Sequence, residues 1–399
     1  MKLWKHQQEL VDLNPDRYGL WWGTGTGKSL AMMTLCKNKG GQTLVICPKS
    51  IVKKWQEDVE LNELPADVYS KEQFKKHHKT LPSYDNLIVD EAHFFSNYKA
   101  QLTKSLELYI KNHKPPRIYF ATATPYLSSS WNVFTYLKLF SHDISWYQWN
   151  NRFFTTVKMG PRTIPVERKS YNGKPMSEVM GAFLKSIGGF VKMEDVVDVP
   201  EQIFQKEHFT LTAEQRKAKA TYYDILPIVR LTRELQIENG TLKVENSSDY
   251  LTFKSEKFNR TIETCKEEKK VVIVCRHRAE MYELDTALKK NGITSTFLIH
   301  GDTKDRHEVV KQAEAVDSGV VIVNASCSEG YELPSYPLML FYSMSYSYKD
   351  YVQIKGRILR MNKLKSNVYR HLIVEGGVDE QVYKTVAIKK QDFNTHLTK

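Results

Sequence analysis

The chain has 399 residues, of which 41% are hydrophobic and 12% aromatic, and its formal net charge is +12. A chain of this length is too long to fold around a single hydrophobic core, so we expect two domains. The positive charge indicates a polyanionic partner such as nucleic acid. No stretch approaches the roughly eighteen apolar residues of a membrane span, and the amino terminus lacks the apolar core of a signal peptide, so we expect neither membrane insertion nor secretion.

The first part of the chain contains short apolar runs separated by helix-like segments. We predict strands at Tyr18–Trp22, Thr43–Cys47, Leu87–Asp90 and Arg117–Ala121. Continuous apolar runs of this length are typical of parallel strands that are covered on both faces. The first part of the chain is therefore predicted to form a parallel sheet with crossover helices.

A glycine-rich turn follows the first predicted strand. The sequence from Gly23 to Ser29 is Gly-Thr-Gly-Thr-Gly-Lys-Ser, and Leu30–Leu35 is typical of a buried helix face. In such a turn backbone N–H groups surround phosphate oxygens, the lysine contacts the β- and γ-phosphates, and the hydroxyl binds Mg²⁺. Trp22 stands where the strict pattern has its first glycine. The candidate residues for a nucleoside triphosphate such as ATP are Gly25, Thr26, Gly27, Lys28 and Ser29.

Two carboxylates follow the third predicted strand, in the sequence Asp90-Glu91-Ala92-His93. Open α/β sheets place ligand-binding carboxylates at such strand ends. We predict that Asp90, together with Ser29, binds Mg²⁺ and that Glu91 orients and deprotonates the attacking water. An ordinary solvated helix start is the alternative interpretation of these four residues.

The middle and second half of the chain differ in character. Residues 140–206 are rich in aromatic residues and then in Gly, Pro and Lys, and the polar patch Glu238–Tyr250 is predicted to be a hairpin or loop. A second series of strands is predicted after it. Its members are Lys270–Cys275, Thr296–His300, Val320–Asn324, Leu338–Tyr342 and Val368–Val374. We therefore predict a first domain at residues 1–140, an insertion and linker at 141–206, and a second domain at 207–399.

The motifs of the first half resemble those of a known family. Leu3–Gln7, Leu44–Ser50 and Ala121–Pro125, combined with the glycine-rich turn and the carboxylate pair, resemble superfamily 2 helicases and translocases, and within them Swi/Snf-type ATPases. The resemblance implies roles for residues that spacing alone does not assign. They are Gln7 for adenine recognition, Pro48, Lys49 and Ser50 for nucleic-acid contact, and Thr122 and Thr124 for coupling hydrolysis to strand contacts.

The second half carries matching segments. Asn324–Gly330 resembles motif V of the family, and Gln353–Arg360 matches the motif VI pattern Q-x-x-G-R-x-x-R. Two arginines three residues apart share one helix face, so we predict that Arg357 and Arg360 together supply positive charge to the γ-phosphoryl group. The resemblance further implies that Gly330 lies at the nucleotide and that Gln353 takes part in coupling.

The resemblance implies a fold of two RecA-like, P-loop NTPase parallel-sheet domains with a helical, aromatic insertion between them. ATP and Mg²⁺ would lie in the cleft between the lobes, and repeated closure and opening would move the chain along DNA. Duplex DNA is the favoured partner, with single-stranded DNA or RNA as alternatives. We expect a monomer with an unknown protein recruiter, in the cytoplasm of a bacterial or phage-infected cell, acting in DNA replication, recombination or repair.

Two other functions stay open. The first is a DNA or RNA helicase that separates strands, and the second is a nucleic-acid-binding assembly factor that switches with bound nucleotide and does not turn it over. A water-activating glutamate and an arginine finger have little use in a pure switch, so the residues favour an ATP hydrolase.

Overall fold

The computed structural model describes residues 3–126, 129–159, 162–196, 198, 200–244, 247, 249–328, 330–359 and 366–392. The chain divides into two units, the first ending at residue 197 and the second running from residue 198 to residue 390. Each unit is built around one six-stranded sheet.

The first unit contains one six-stranded sheet and two small antiparallel pairs. The central strands form where the sequence is continuously apolar, and all five residues of the second and fourth strands are buried. The ten described strands are β1 Arg17–Trp22, β2 Thr43–Cys47, β3 Ala66–Ser70, β4 Asn86–Asp90, β5 Arg117–Ala121, β6 Phe154–Met159, β7 Arg162–Glu167, β8 Ser170–Tyr171, β9 Lys174–Pro175 and β10 Gly188–Val191.

The main sheet of this unit has the order β10-β1-β5-β4-β2-β3. Every pairing in it is parallel, as the four predicted strands required. Helices cover both faces of the sheet, and their buried residues form two apolar clusters, one on each side. The described helices are α1 Lys5–Leu13, α2 Lys28–Lys39, α3 Val52–Leu61, α4 Lys71–His77, α5 Gln101–His113, α6 Ser130–Leu139, α7 Trp146–Phe153, α8 Met176–Ser186 and α9 Met193–Val196.

Strand β10 lies in the segment predicted as an insertion and linker, yet it forms one edge of the first sheet. It pairs with β1 through Gly19 and Gly188, where a Cβ on Gly188 would lie 2.1 Å from the Gly19 carbonyl oxygen. Only glycine permits this approach, since real Cβ atoms do not come so close. The Gly23 N–H also donates to the Val191 carbonyl at 2.7 Å. The first unit therefore extends beyond residue 140 and includes the aromatic helices.

The second unit has its own six-stranded sheet and one small antiparallel pair. Its described strands are β11 Gln202–Phe209, β12 Thr241–Lys243, β13 Tyr250–Thr252, β14 Lys270–Cys275, β15 Thr296–Ile299, β16 Gly319–Asn324, β17 Leu338–Phe341 and β18 Asn367–Val374. Its described helices are α10 Ala213–Thr221, α11 Pro227–Glu238, α12 Glu256–Glu267, α13 Arg278–Lys290, α14 Arg306–Ala315, α15 Tyr348–Lys355 and α16 Val378–Asp392.

The second sheet has the order β11-β18-β17-β14-β16-β15, and all its pairings are parallel. The fold class predicted from the sequence, two RecA-like parallel-sheet domains, is confirmed. Strand β11 crosses the predicted boundary between residues 206 and 207. It is mostly solvent-facing and has one neighbour in the sheet, so it lacks the apolar run that marks a central strand.

A buried ion pair connects two helices of the second unit. The Lys257 ammonium, 1% exposed, pairs with Asp379 and donates to Asn239 Oδ1 at 2.6 Å. Glu238 is also buried and accepts from the Val378 and Asp379 N–H groups at 3.0 Å each, at the start of α16. These polar contacts fix α12 and α16 against the end of α11, because buried charges are stable only when paired.

Among the described residues no helix is long and apolar enough to cross a bilayer. The five cysteines are all buried thiols. Burial raises the pKa of Cys36 and Cys265 to about 12, so these thiols are protonated and unreactive at neutral pH.

Candidate functional site

Four of the segments singled out in the sequence follow neighbouring strands of the first sheet. The glycine-rich turn follows β1, Thr122–Thr124 follows β5, Asp90 ends β4, and Pro48–Ser50 follows β2. Because the strands are parallel and adjacent, these segments all lie at the carboxyl edge of the sheet. Ligands of open α/β sheets bind at this edge.

The glycine-rich turn connects β1 directly to α2. Gly25 and Gly27 have φ angles of +77° and +74°, which L-residues with side chains rarely adopt. The helix begins at Lys28, whose Nζ donates to the carbonyls of Trp22 at 3.1 Å and Gly23 at 2.9 Å. The turn thus has the left-handed glycines and the helix start that a phosphate-binding loop requires.

Trp22 is compatible with this loop even though the strict pattern has glycine there. Its side chain is 2% exposed and packs in the apolar cluster beneath the turn. Only its carbonyl faces the lysine. Ser29, the second residue of α2, is half-buried.

Helix α1 holds the turn from the amino-terminal side. The Gln7 Nε2 donates to the Gly27 carbonyl at 3.0 Å, and its Oε1 accepts from the Trp4 N–H at 2.8 Å. The His6 Nε2 donates to the Thr26 carbonyl at 2.9 Å. Gln7, predicted to recognise adenine, here uses the amide nitrogen to brace the loop and the amide oxygen to cap the start of α1. Its role in adenine recognition stays a prediction.

Asp90 is held by two donors at the end of β4. The Trp55 indole Nε1 donates to Asp90 Oδ2 at 2.9 Å, and the Glu91 N–H donates to Oδ1 at 2.9 Å. Burial, followed by the neighbouring Glu91 charge, raises the pKa of Asp90 from 3.8 to about 6, while Lys28 opposes this shift. A buried carboxylate with a raised pKa is poorly stabilised as an anion and favours a nearby cation.

Glu91 and His93 connect this strand end to the next one. Glu91 has a φ of +51°, an uncommon conformation for a residue with a side chain. Its Oε2 lies 3.1 Å from His93 Nδ1, which is also 3.1 Å from the Thr122 hydroxyl. That hydroxyl accepts from the Thr124 N–H at 3.1 Å. The predicted water-activating and coupling residues are therefore joined by direct contacts.

The Pro48–Ser50 segment lies beside Asp90 in the sheet order. Pro48 is buried, whereas Lys49 and Ser50 are exposed at the start of a short 3₁₀ helix, Lys49–Ile51. Trp55, in the helix that follows, is 2% exposed and reaches Asp90. The segment predicted to contact nucleic acid is thus linked to the carboxylate site by one helix.

In the second unit the predicted residues Gln353 and Arg357 lie next to the segment after β16. The Gln353 Oε1 accepts from the Ser328 hydroxyl at 2.8 Å, and Arg357 Nη1 donates to the Tyr331 carbonyl at 3.0 Å. Gly330 has a φ of +83°. The structure thus brings together the two segments that resemble motifs V and VI.

Arg357 lies outside a helix, in contrast to the prediction that it shares a helix face with Arg360. Helix α15 ends at Lys355, and the Arg357 N–H continues in a tighter turn to the Ile354 carbonyl at 3.0 Å. Gly356 favours this ending, because glycine loses the most backbone entropy in a helix. Arg360 lies outside the described residues.

Residues 254–362 match the family of helicase conserved C-terminal domains. These residues lie within the second unit. The family match confirms the predicted resemblance to superfamily 2 helicases. No curated protein matches the chain at a significant level. Among solved structures, the chain is similar to the SWI2/SNF2 ATPase core of Sulfolobus solfataricus in complex with dsDNA, with a TM-score of 0.45 and 16% identity over 98% of this chain and 92% of that one.

The helicase C-terminal domain match covers the predicted residues Gly330, Gln353 and Arg357. In this domain Gln353 is fully buried, so its contact with Ser328 is shielded from water. The match lies within the second unit. The interpretation of the first unit as a nucleotide site therefore depends on the geometry of its glycine-rich turn and strand ends.

Two residues of the first unit join the site although the sequence did not single them out for it. Trp55 donates to the Asp90 carboxylate, and His6 donates to the glycine-rich turn. Each contact joins segments at least 20 residues apart in the chain. The sequence signal for both was limited to their positions beside family-like motifs.

Proposed function

We propose that this chain is an ATP-dependent DNA translocase of helicase superfamily 2, which couples ATP hydrolysis to movement along duplex DNA. The convergence of four family-like segments at the carboxyl edge of the first sheet carries the proposal. The helicase C-terminal domain supports it, since helicases of this superfamily use ATP and usually Mg²⁺.

The glycine-rich turn fits a triphosphate. Left-handed Gly25 and Gly27 give the backbone conformation in which successive N–H groups can surround a phosphate, and the start of α2 adds the positive end of a helix dipole. Lys28 is held by two backbone carbonyls, and a phosphate oxygen would replace these weaker acceptors with a charged one.

Ser29 and Asp90 fit Mg²⁺, because hydroxyl and carboxylate oxygens are the hard ligands that this ion prefers. The raised pKa of the buried Asp90 is consistent with a carboxylate that awaits a cation. When bound, Mg²⁺ would neutralise charge on the triphosphate.

We further propose that Glu91 orients and deprotonates the attacking water. Its contact with His93, and the contact of His93 with Thr122, give it a fixed position and connect it to the coupling segment. Arg357 and Arg360 would supply positive charge to the γ-phosphoryl group, as the family resemblance implies.

DNA is the proposed track for two reasons. Lys49 and Ser50 are exposed at the site edge, where the family resemblance implies contact with the nucleic-acid backbone. The net charge of +12 favours binding to a polyanion. DNA replication, recombination or repair is the proposed setting.

The proposal is tested by ATP turnover with duplex DNA, single-stranded DNA, RNA or no nucleic acid. Lys28→Ala serves as the blank, because it removes the phosphate-binding ammonium and leaves the glycine turn in place. We expect duplex DNA to stimulate turnover most. Stimulation by single strands or RNA alone would contradict the translocase proposal.

Forked substrates and nucleotide binding separate the other functions. Unwinding of a fork would favour a strand-separating helicase, while nucleotide-dependent DNA binding without turnover would favour an assembly factor. Arg357→Ala should lower turnover and leave ATP affinity within about threefold, because the proposed charge develops in the transition state.

A further inference from the structure

The first unit carries a two-stranded ribbon outside its main sheet. Strands β6 and β7 pair in antiparallel fashion from Phe154 and Glu167 to Met159 and Arg162. Neither strand pairs with the six-stranded sheet. A two-stranded ribbon is only marginally stable by itself in water, so contacts with the rest of the unit must stabilise it.

The base of the ribbon is attached to α6. Phe154 is buried and stacks on Trp131 with ring centroids 4.6 Å apart. Glu167 Oε1 accepts from the Ser130 N–H at 2.7 Å. Ser130 begins α6, and the positive end of the helix dipole stabilises an acidic group there. Helix α6 is the next helix in the chain after the segment containing Thr122, so the ribbon is fixed to the helix that follows this predicted coupling segment.

One face of the ribbon is apolar and exposed. Residues that pair directly in an antiparallel ribbon share a face, which places Val157 and Ile164 beside each other, next to the pair Thr155 and Val166. Val157, Ile164 and Val166 are 44%, 37% and 40% exposed. A face of adjacent exposed branched side chains on an attached ribbon indicates a binding surface.

Cations flank the ribbon, and one of them, Lys158, pairs with Thr163 on the face opposite Val157 and Ile164. Residues 144–177 contain six lysines or arginines and one acidic residue, Glu167, which is occupied at the start of α6. Lys158, Arg168 and Lys169 are exposed and form no ion pair within the described part of the chain. The ribbon is therefore complementary in charge to a polyanion that also presents apolar surface.

We propose that this ribbon binds in the major groove of duplex DNA, with its apolar face toward the base edges and Lys158, Arg168 and Lys169 on the phosphates. This inference rests on the proposed function and identifies a surface of the first unit that would bind the DNA. Strands about 4.8 Å apart form a ribbon that the groove, roughly 12 Å wide, admits. Thr and Val methyl groups can pack against thymine methyls, which lie in this groove.

Two sets of substitutions separate the apolar face from the cations. Val157→Ser with Ile164→Ser should weaken duplex affinity about tenfold and leave its salt dependence unchanged. Lys158→Ala with Arg168→Ala and Lys169→Ala should reduce the slope of log Kd against log salt by about 2 to 3, since each lost phosphate contact removes about 0.9. Affinity is measured by fluorescence anisotropy in the absence of nucleotide.

The matched control removes three exposed lysines elsewhere on the first unit, Lys75, Lys76 and Lys79, each changed to Ala. This control has the same change in net charge and should leave the slope within about 1 of the wild type. Since the native cysteines are buried, a fluorophore on Thr155→Cys, which lies on the apolar face, reports the ribbon directly, and one on Leu61→Cys is its control. Duplex DNA should change the emission at position 155 and leave position 61 unchanged.

The outcomes distinguish this inference from the proposed function. Wild-type binding and DNA-stimulated turnover with unchanged affinity in both ribbon variants would overturn the ribbon and leave the translocase proposal intact. A protein lacking any DNA affinity would overturn both. Equal losses on single-stranded and duplex DNA would overturn the groove assignment, because single strands have no major groove. Thermal melting of each variant verifies that the ribbon changes leave the fold intact.

Discussion

Replacing Trp55 with Phe tests whether Asp90 is the metal-binding carboxylate. The change keeps an aromatic ring and removes the indole N–H that donates to Asp90 Oδ2 at 2.9 Å. A hydrogen bond to a charged acceptor contributes roughly 1.5 to 3 kcal/mol, which corresponds to about one to two pH units. The bond favours the charged carboxylate, so its loss should raise the pKa of Asp90 further above about 6.

The expected effect on activity follows from the sign of this shift. As the proposed Mg²⁺ ligand, Asp90 would bind the ion in its anionic form, so protons would compete with the metal and the rate should fall as pH drops through the carboxyl pKa. In the wild type the acid limb of the rate should lie near pH 6. In Trp55→Phe it should move up by about one to two pH units, and at pH 7 half-saturation should need about two- to tenfold more Mg²⁺.

Trp149→Phe is the matched control. Trp149 is 4% exposed in the same unit, and its indole N–H has no hydrogen-bond partner among the described residues. Both variants lose similar apolar volume and should lower the free energy of unfolding by about 1 to 3 kcal/mol. Only Trp55→Phe should move the acid limb and the Mg²⁺ requirement. Identical pH and Mg²⁺ profiles for Trp55→Phe and the wild type would refute the reasoning.

Three further changes probe other contacts. Glu91→Gln should preserve ATP binding and reduce turnover at least about 100-fold, measured by nucleotide titration and phosphate release, and normal turnover would remove Glu91 from catalysis. Gly27→Ala places a methyl group 2.1 Å from Gln7 Nε2 at a φ of +74°, so ATP affinity should fall at least about tenfold in a nucleotide titration, and unchanged affinity would contradict the strained loop. Lys257→Met leaves Asp379, whose pKa burial already raises to about 6, without its partner. Urea unfolding should show a loss of about 3 to 5 kcal/mol at pH 7 that shrinks at pH 5, where Asp379 is protonated, and a loss independent of pH would argue against the buried pair.

The raised pKa of Asp90 also makes the stability of the fold depend on pH. Its pKa in the fold, about 6, lies above the usual 3.8, so the folded state retains a proton that the unfolded state releases. Stability therefore falls as pH rises from about 4 to 6, by roughly 3 kcal/mol from this group. Nucleotide with Mg²⁺ should reverse this loss at neutral pH, because binding to the folded state stabilises it.

The strands of the two main sheets that the sequence did not predict share a physical property. The central strands β2, β4, β14 and β16 are buried on both faces and appear as apolar runs. The three unpredicted strands of the main sheets, β3, β10 and β11, are all edge strands. An edge strand has one neighbour and keeps polar or glycine residues, so its pattern resembles a loop.

The site was predictable where chemistry fixes both residue type and spacing. The glycines of the turn, Lys28 and the carboxylates occur in a fixed order, and the parallel sheet brings them to one edge. Contacts such as Trp55 with Asp90 were not predictable, because a single indole gives no indication of the carboxylate it will meet 35 residues away. The end of α15 before Arg357 was also not predicted. It occurs at Gly356, and the motif pattern specifies this glycine without indicating that the helix stops there.

The pairing of β10 with β1 has a consequence for the newborn polypeptide. As the chain leaves the ribosome, β1 is complete after 22 residues, but its neighbour on one side ends at residue 191. Until then β1 has an open side, and the Gly23 amide lacks its acceptor, the Val191 carbonyl. The glycine turn therefore reaches its final geometry only after the aromatic helices and the ribbon have been synthesised.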